Sequence, residues 1–202
     1  MNGTKDRKER ISCPKSGTWG SSSQDLVRLS TLLIESSKDY ALKYDRNISI
    51  YALAGIPVLF SALRALLLEA NNGMYGRGKS ESKLHDLNKI NELKFVDKYY
   101  NLGNDALENL RLAYEVRNEI VHPSHMPAGT PDGTPEYLSV LRKRGLLQSG
   151  IWLDQLQSHK LILWIAEVIK NVASKVLEEH HADQESKQDH LCSWSRYKMS
   201  KL

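Results

Sequence analysis

Apolar side chains recur every three or four residues along most of the chain between residues 24 and 180. This spacing places them on one side of an α-helix. It predicts helices over about 24–43, 48–71, 81–99, 104–121, 136–143 and 151–179. No stretch shows the alternation with a period of two that is expected of a half-buried strand. The sequence therefore predicts an all-α fold, a single helical bundle of about five helices.

Several helix ends carry local signals. Ser23 is a suitable N-cap for the first helix, because a serine hydroxyl can accept from a free backbone N–H group. The second helix, 48–71, is apolar on most sides, and Pro57 is expected either to kink it or to open its second part. Pro123 ends the fourth helix, since a proline disfavours helical geometry in the residue before it.

The ends of the chain differ from its centre. Residues 1–23 are rich in Lys, Arg, Ser and Gly, and residues 181–202 are also polar. Such segments bury too little apolar surface to offset their loss of conformational entropy, so we expect two flexible tails. With 202 residues, 41% of them apolar and 26% charged, the chain is expected to form one globular domain over 24–180.

Charge and cysteine content restrict the cellular setting. A net charge of +4 permits an RNA partner without requiring one. The two cysteines, Cys13 and Cys192, lie in the polar ends, which predicts no disulfide framework and a reducing, cytoplasmic compartment. Residues 1–10 are charged and precede no apolar core, so no secretory signal is expected. The apolar stretch 48–68 contains a glycine, a proline and an arginine, which favours a buried core helix over a membrane span.

Residues 73–80, GMYGRGKS, match the P-loop pattern G-x-x-x-x-G-K-[ST]. A P-loop requires a buried strand before it and a helix after it, so that backbone amides surround phosphate. The preceding residues are strong helix formers instead, and no later strand offers an Asp for magnesium. A loop between helices is the better interpretation, in which Arg77, Lys79 and the following Lys83 contact an RNA phosphate backbone.

The sequence RNEIVHP at the end of the fourth helix is the most informative motif. Asn118 and His122 are four residues apart and share a helix face, and Arg117 is long enough to reach toward them. A guanidinium group binds phosphate oxygens, and an imidazole exchanges protons near neutral pH. These residue types suit the cleavage of a phosphodiester bond.

An Arg, a polar residue and a His at this spacing, within a helical bundle, resemble the signature of the HEPN domains, many of which are metal-independent ribonucleases. The resemblance implies a homodimer in which two copies of Arg117 and His122 line one cleft. There an RNA 2′-hydroxyl attacks the adjacent phosphate, with His122 as general base or acid, Arg117 stabilising the phosphorane and Asn118 orienting the pair. It implies no metal and no cofactor.

The same resemblance implies a toxin or antiviral defence effector, restrained by an antitoxin or another regulatory protein. Some toxins of this family carry a Tyr two residues after the His, which a partner enzyme modifies. This chain has Ser124 there, so that form of silencing is not expected. His125 lies in the proline-rich segment 123–135 and is a candidate for the wall of the cleft and for an RNA contact.

A structural interpretation of the motif competes with the ribonuclease. His122 can end a helix because its cation complements the helix dipole, with Arg117 paired to a nearby Glu. The bundle would then be a catalytically silent module that binds RNA or protein. A separate question is whether His180 and His181 form a metal site. Consecutive residues of a helix point in different directions, and no further ligand stands nearby in sequence, so a solvated helix end is favoured over a metal site.

Overall fold

The computed structural model of the chain describes residues 22–44, 48–72, 81–123, 135–150 and 153–180. These residues form eight helices and no strand, apart from one isolated bridge between Ile48 and Ser158. The helices are α1 (Ser22–Lys43), α2 (Tyr51–Asn71), α3 (Glu81–Lys89), α4 (Glu92–Tyr99), α5 (Asn104–Val121), α6 (Glu136–Lys143), α7 (Leu153–Leu156) and α8 (His159–His180). The prediction of an all-α helical bundle is confirmed. The tails predicted at 1–23 and 181–202 lie outside the described residues, except that Ser22 and Ser23 begin α1.

Helix α2 forms the centre of the bundle, in contact with α1, α5 and α8. It can approach α8 closely because Gly55 has no side chain: a Cβ atom there would overlap Cδ1 of Ile162. The helix begins at Tyr51 and continues through Pro57, so the proline does not open a second helix. The core of the protein is therefore built around α2, most of whose leucines and alanines are fully buried.

By length and composition alone, α2 is also apolar enough to cross a membrane. Half of its most apolar 18-residue window is buried against the rest of the bundle. The core helix of a soluble protein meets the same criterion, so this property is weak evidence for a membrane span.

Two of the predicted helices are interrupted. The segment 81–99 divides into α3 and α4 because the Asn91 side chain accepts from the backbone N–H of Lys94 at 2.9 Å and caps a new helix. The segment 151–179 divides before α8, where the Ser158 hydroxyl accepts from the N–H of Leu161 at 3.2 Å. Ser158 also forms the bridge to Ile48, so contacts with a distant part of the chain fix this break.

Two helix ends differ from expectation. Ser23 is not an N-cap but lies inside α1, where its N–H and hydroxyl donate to the buried carboxylate of Glu69 at 2.9 and 2.5 Å. A residue of α2 therefore caps α1. His180 is fully buried at the end of α8, and its Nε2 lies 2.8 Å from the hydroxyl of Tyr100. The prediction of a solvated end at His180 was wrong, because the last turn of α8 packs onto the residue that follows α4.

Candidate active site

The candidate site lies at the carboxyl end of α5. The helix ends at Val121, and His122 is its C-cap, with its backbone N–H donating to the carbonyl of Asn118 at 2.7 Å. Pro123 follows and cannot donate a further helical hydrogen bond. The His122 side chain is exposed, whereas Arg117 and Asn118 are half-buried. The motif therefore combines an accessible imidazole with a partly sheltered guanidinium group.

Arg117 is fixed by two neighbours. Its Nη1 donates to Oδ1 of Asn118 at 3.0 Å, and its guanidinium carbon lies 5.7 Å from the centre of the Tyr114 ring. The first contact joins Arg117 to Asn118, and the role of Asn118 in orienting Arg117 and His122 stays a prediction. Within the described part of the chain, no hydrogen bond joins the His122 ring to either residue; the ring lies one helical turn beyond Asn118. The structure thus brings Arg117 and Asn118 together and leaves His122 next to them at the helix end.

A polar network lies behind Arg117. The Tyr114 hydroxyl donates to Oε2 of Glu92 at 3.1 Å, and Nη1 of Arg64 donates to Oε1 of the same carboxylate at 2.8 Å. Burial, followed by the negative charge of Glu92, raises the pKa of the Tyr114 hydroxyl to about 12. The hydroxyl is therefore a protonated donor at any physiological pH.

The sequence interpretation did not identify this network. Tyr114 stands three residues before Arg117, at helical spacing, and that signal was available from the sequence. Glu92 and Arg64 belong to α4 and α2, and no local pattern connects them with the motif.

Of the remaining candidates for RNA contact, Lys83 alone lies within the described residues. Arg77, Lys79 and His125 lie outside the described residues. Lys83 lies over the rings of Tyr99 and Tyr100, with Nζ at 4.7 and 5.6 Å from their centres. These rings are at the end of α4, whereas the network uses its first residue, a separation of about 10 Å along a helix of this length. The ring of Tyr99 that Lys83 covers and the Glu92 carboxylate behind Arg117 therefore belong to opposite ends of α4.

The surroundings of residues 73–80 are helical on both sides. The segment itself lies outside the described residues, but α2 leads into it up to Asn71 and α3 follows from Glu81. A P-loop follows a buried strand, and none precedes this segment in the described range 48–72. The structural setting agrees with the interpretation as a loop between helices.

A metal cluster and a groove are two other kinds of site that the described parts of the chain could hold. No group of three His, Cys, Asp or Glu side chains there is arranged to hold a metal ion. A groove of about 270 Å³ runs between α4 and the first half of α5, past Leu93, Asp97, Leu107 and Arg111. Arg111, the lining residue nearest to the motif along α5, precedes Arg117 by about 9 Å of helix, and neither Arg117 nor His122 lines the groove.

The arrangement at the end of α5 suits a phosphodiester substrate. A half-exposed guanidinium held by an amide and a ring can bind phosphate oxygens, and an exposed imidazole nearby can transfer a proton. Comparison with protein-family models, with curated proteins and with solved structures finds no match to this chain.

Proposed function

We propose that this protein is a metal-independent endoribonuclease of the HEPN type. The observation that carries the proposal is the Arg117 guanidinium, held by Asn118 at 3.0 Å and one turn from an exposed His122 at the end of α5. An arginine bound by a neutral amide keeps its charge available for a substrate phosphate. A purely structural arginine is more often paired with a carboxylate.

In the proposed reaction the 2′-oxygen of one nucleotide forms a bond to the adjacent phosphorus, and the bond from phosphorus to the 5′-oxygen breaks. A base removes the 2′-hydroxyl proton, and an acid gives a proton to the leaving 5′-oxygen. His122 performs one of these transfers, which typically accelerates a reaction about a hundred- to ten-thousand-fold. Arg117 binds the additional negative charge on the phosphorane. The products carry a 2′,3′-cyclic phosphate and a 5′-hydroxyl.

A homodimer would supply two copies of His122, one for each proton transfer. Val121, which precedes His122, is 38% exposed, so an apolar side chain beside the site is accessible to a second subunit. The net charge of +4 favours the approach of RNA. By resemblance, such a protein acts in the cytoplasm as a toxin or defence effector under the control of an antitoxin or regulatory partner.

The test is an incubation of purified protein with mixed RNA in excess EDTA. The wild type is compared with Arg117→Ala and His122→Ala. Arg111→Ala is the matched control, because Arg111 lies on the same helix and is exposed in an ion pair with Glu108. We expect cleavage by the wild type and the control and no cleavage by the two motif variants. Circular dichroism verifies that all four proteins are folded. Intact RNA with a folded, dimeric wild type would overturn the proposal.

A silent binding module is the second candidate. Leu29 and Leu32 are 46% and 60% exposed and lie three residues apart on α1, an apolar pair that a protein partner can cover. This candidate predicts that a growth phenotype on expression survives His122→Ala and is lost in a Leu29→Glu, Leu32→Glu double variant. The ribonuclease predicts that His122→Ala abolishes the phenotype.

A further inference from the structure

Tyr114 is held at both ends of its side chain. It is 8% exposed, and its ring meets Phe60 of α2 edge to face, with 5.5 Å between ring centres and an angle of 86°. Its hydroxyl donates to Glu92 at the start of α4. The ring therefore has one orientation, fixed by apolar contact on one side and by a hydrogen bond at its tip.

Glu92 is a buried carboxylate with a donor on each oxygen. Arg64 donates to Oε1 at 2.8 Å and Tyr114 to Oε2 at 3.1 Å. A buried charge is stable only when it is paired and hydrogen-bonded, so neither donor can leave without cost. Arg64 also donates to the carbonyl of Leu87 at 3.3 Å, which anchors the network to α3.

Arg117 lies over this fixed ring. Its guanidinium carbon is 5.7 Å from the Tyr114 ring centre, within the range of a cation–π contact, and its Nη1 is bound by Asn118. An arginine side chain normally samples many rotamers, and their loss opposes each productive contact. Here the ring below and the amide beside the guanidinium restrict that sampling before any substrate arrives.

We propose that Arg64, Glu92 and Tyr114 are positioning residues that hold the Arg117 guanidinium in the orientation that receives the RNA phosphate. The role rests on the proposed ribonuclease function. Their observed contacts reach Arg117 only through the Tyr114 ring, so they act on the reaction through Arg117. Reactions that depend on prior orientation lose rate when a supporting residue is changed, even far from the bonds that react.

Three variants test the network in the full-length protein. Tyr114→Leu removes the ring and the hydroxyl, and Tyr114→Phe removes the hydroxyl alone. Glu92→Gln removes the negative charge that accepts the hydrogen bond from the Tyr114 hydroxyl. We expect kcat to fall about a hundredfold for Tyr114→Leu, with KM little changed. The loss should be smaller for Tyr114→Phe, which keeps the ring. Tyr99→Phe is the matched control, because the Tyr99 hydroxyl also donates to a carboxylate, that of Asp86, and within the described residues it makes no contact with Arg117.

A second measurement does not depend on activity. The NMR order parameter of the Arg117 Nε–Hε group, assigned by its loss in Arg117→Lys, is expected to be high in the wild type and in Tyr99→Phe. It should fall in Tyr114→Leu, as the guanidinium becomes mobile. Unchanged order together with unchanged kcat in Tyr114→Leu and Glu92→Gln would overturn the positioning role. If the wild type cleaves no RNA, the proposed function fails, and the order parameter still decides whether Tyr114 holds Arg117.

Discussion

The crossing of α2 and α8 offers a prediction that can be worked out in detail. Gly55 is buried where the two helices meet, and a Cβ atom at this position would overlap Cδ1 of Ile162. The next nearest atoms, Cβ of Leu33 at 3.4 Å and Cγ1 of Ile162 at 3.7 Å, would tolerate the new methyl group. The expected conflict in Gly55→Ala is therefore confined to one methyl group of one side chain.

The magnitude follows from two opposing effects. Forcing an additional methyl group into a packed core costs about 1–3 kcal/mol, and replacing glycine by alanine inside a helix returns about 1 kcal/mol. Ile162 is fully buried, so its Cδ1 cannot turn into solvent. We expect Gly55→Ala to lower the free energy of unfolding by up to about 2 kcal/mol. In an Ile162→Val background, which lacks Cδ1, the same substitution should be neutral or stabilise by up to about 1 kcal/mol.

The assay is urea unfolding of the wild type, both single variants and the double variant, followed by far-ultraviolet circular dichroism. The difference between the two Gly55→Ala effects, about 1–3 kcal/mol, is the coupling energy. Ile165→Val is the matched control background, since Ile165 is also fully buried in α8 but is not among the atoms nearest to the added Cβ. Equal destabilisation by Gly55→Ala in all backgrounds would refute the close approach of α2 and α8.

Three further predictions concern capping, pH and charge. Glu69→Gln should destabilise the fold by about 1.5–3 kcal/mol in urea unfolding, because the bonds from Ser23 lose a charged acceptor, and an unchanged midpoint would contradict this. Burial lowers the pKa of the His159 imidazole. The neutral imidazole therefore makes its full contribution to the free energy of unfolding above about pH 6.5, the pKa of His159 in the unfolded chain. This contribution is lost as the pH falls from there toward the lower pKa of His159 in the folded protein. His159→Asn should flatten the fall in urea midpoint between pH 7.5 and 5.5, and an equally steep fall would count against the assignment. Asn118→Asp places a carboxylate against Arg117 and should slow RNA cleavage at least about tenfold, which a wild-type rate would disprove.

Helical periodicity accounts for most of the fold. The predicted bounds of α2, α5 and α6 differ from the observed ones by at most three residues, because apolar spacing and local stop signals define these helices. The break at Asn91 was missed because apolar residues continue at helical spacing across it. The break before α8 depends on the bridge from Ile48 to Ser158, and a contact over that distance leaves no local pattern. The burial of His180 likewise depends on Tyr100, eighty residues away.

The candidate site, like the fold, could be predicted from the sequence only in part. The position of Arg117, Asn118 and His122 at a helix end follows from the proline stop and from spacing within one helix. Asn118 accepts a hydrogen bond from Arg117, and its role in orienting Arg117 and His122 stays a prediction. Glu92 and Arg64 reach the site from other helices, and their part in it depends on how α2, α4 and α5 pack together. Residues at such a distance in sequence become candidates only when the packing is known.

The most direct test of the central claim is the chemistry of the ends left on cleaved RNA. Purified protein is incubated in excess EDTA with an RNA oligonucleotide that it cleaves, and with the same oligonucleotide carrying a 2′-deoxy nucleotide at the cleaved position. Attack by the 2′-hydroxyl under the control of Arg117 and His122 predicts 2′,3′-cyclic phosphate and 5′-hydroxyl ends, no cleavage of the 2′-deoxy substrate, and no products from either alanine variant. Cleavage that persists in both variants, or that leaves 3′-hydroxyl and 5′-phosphate ends, would contradict it.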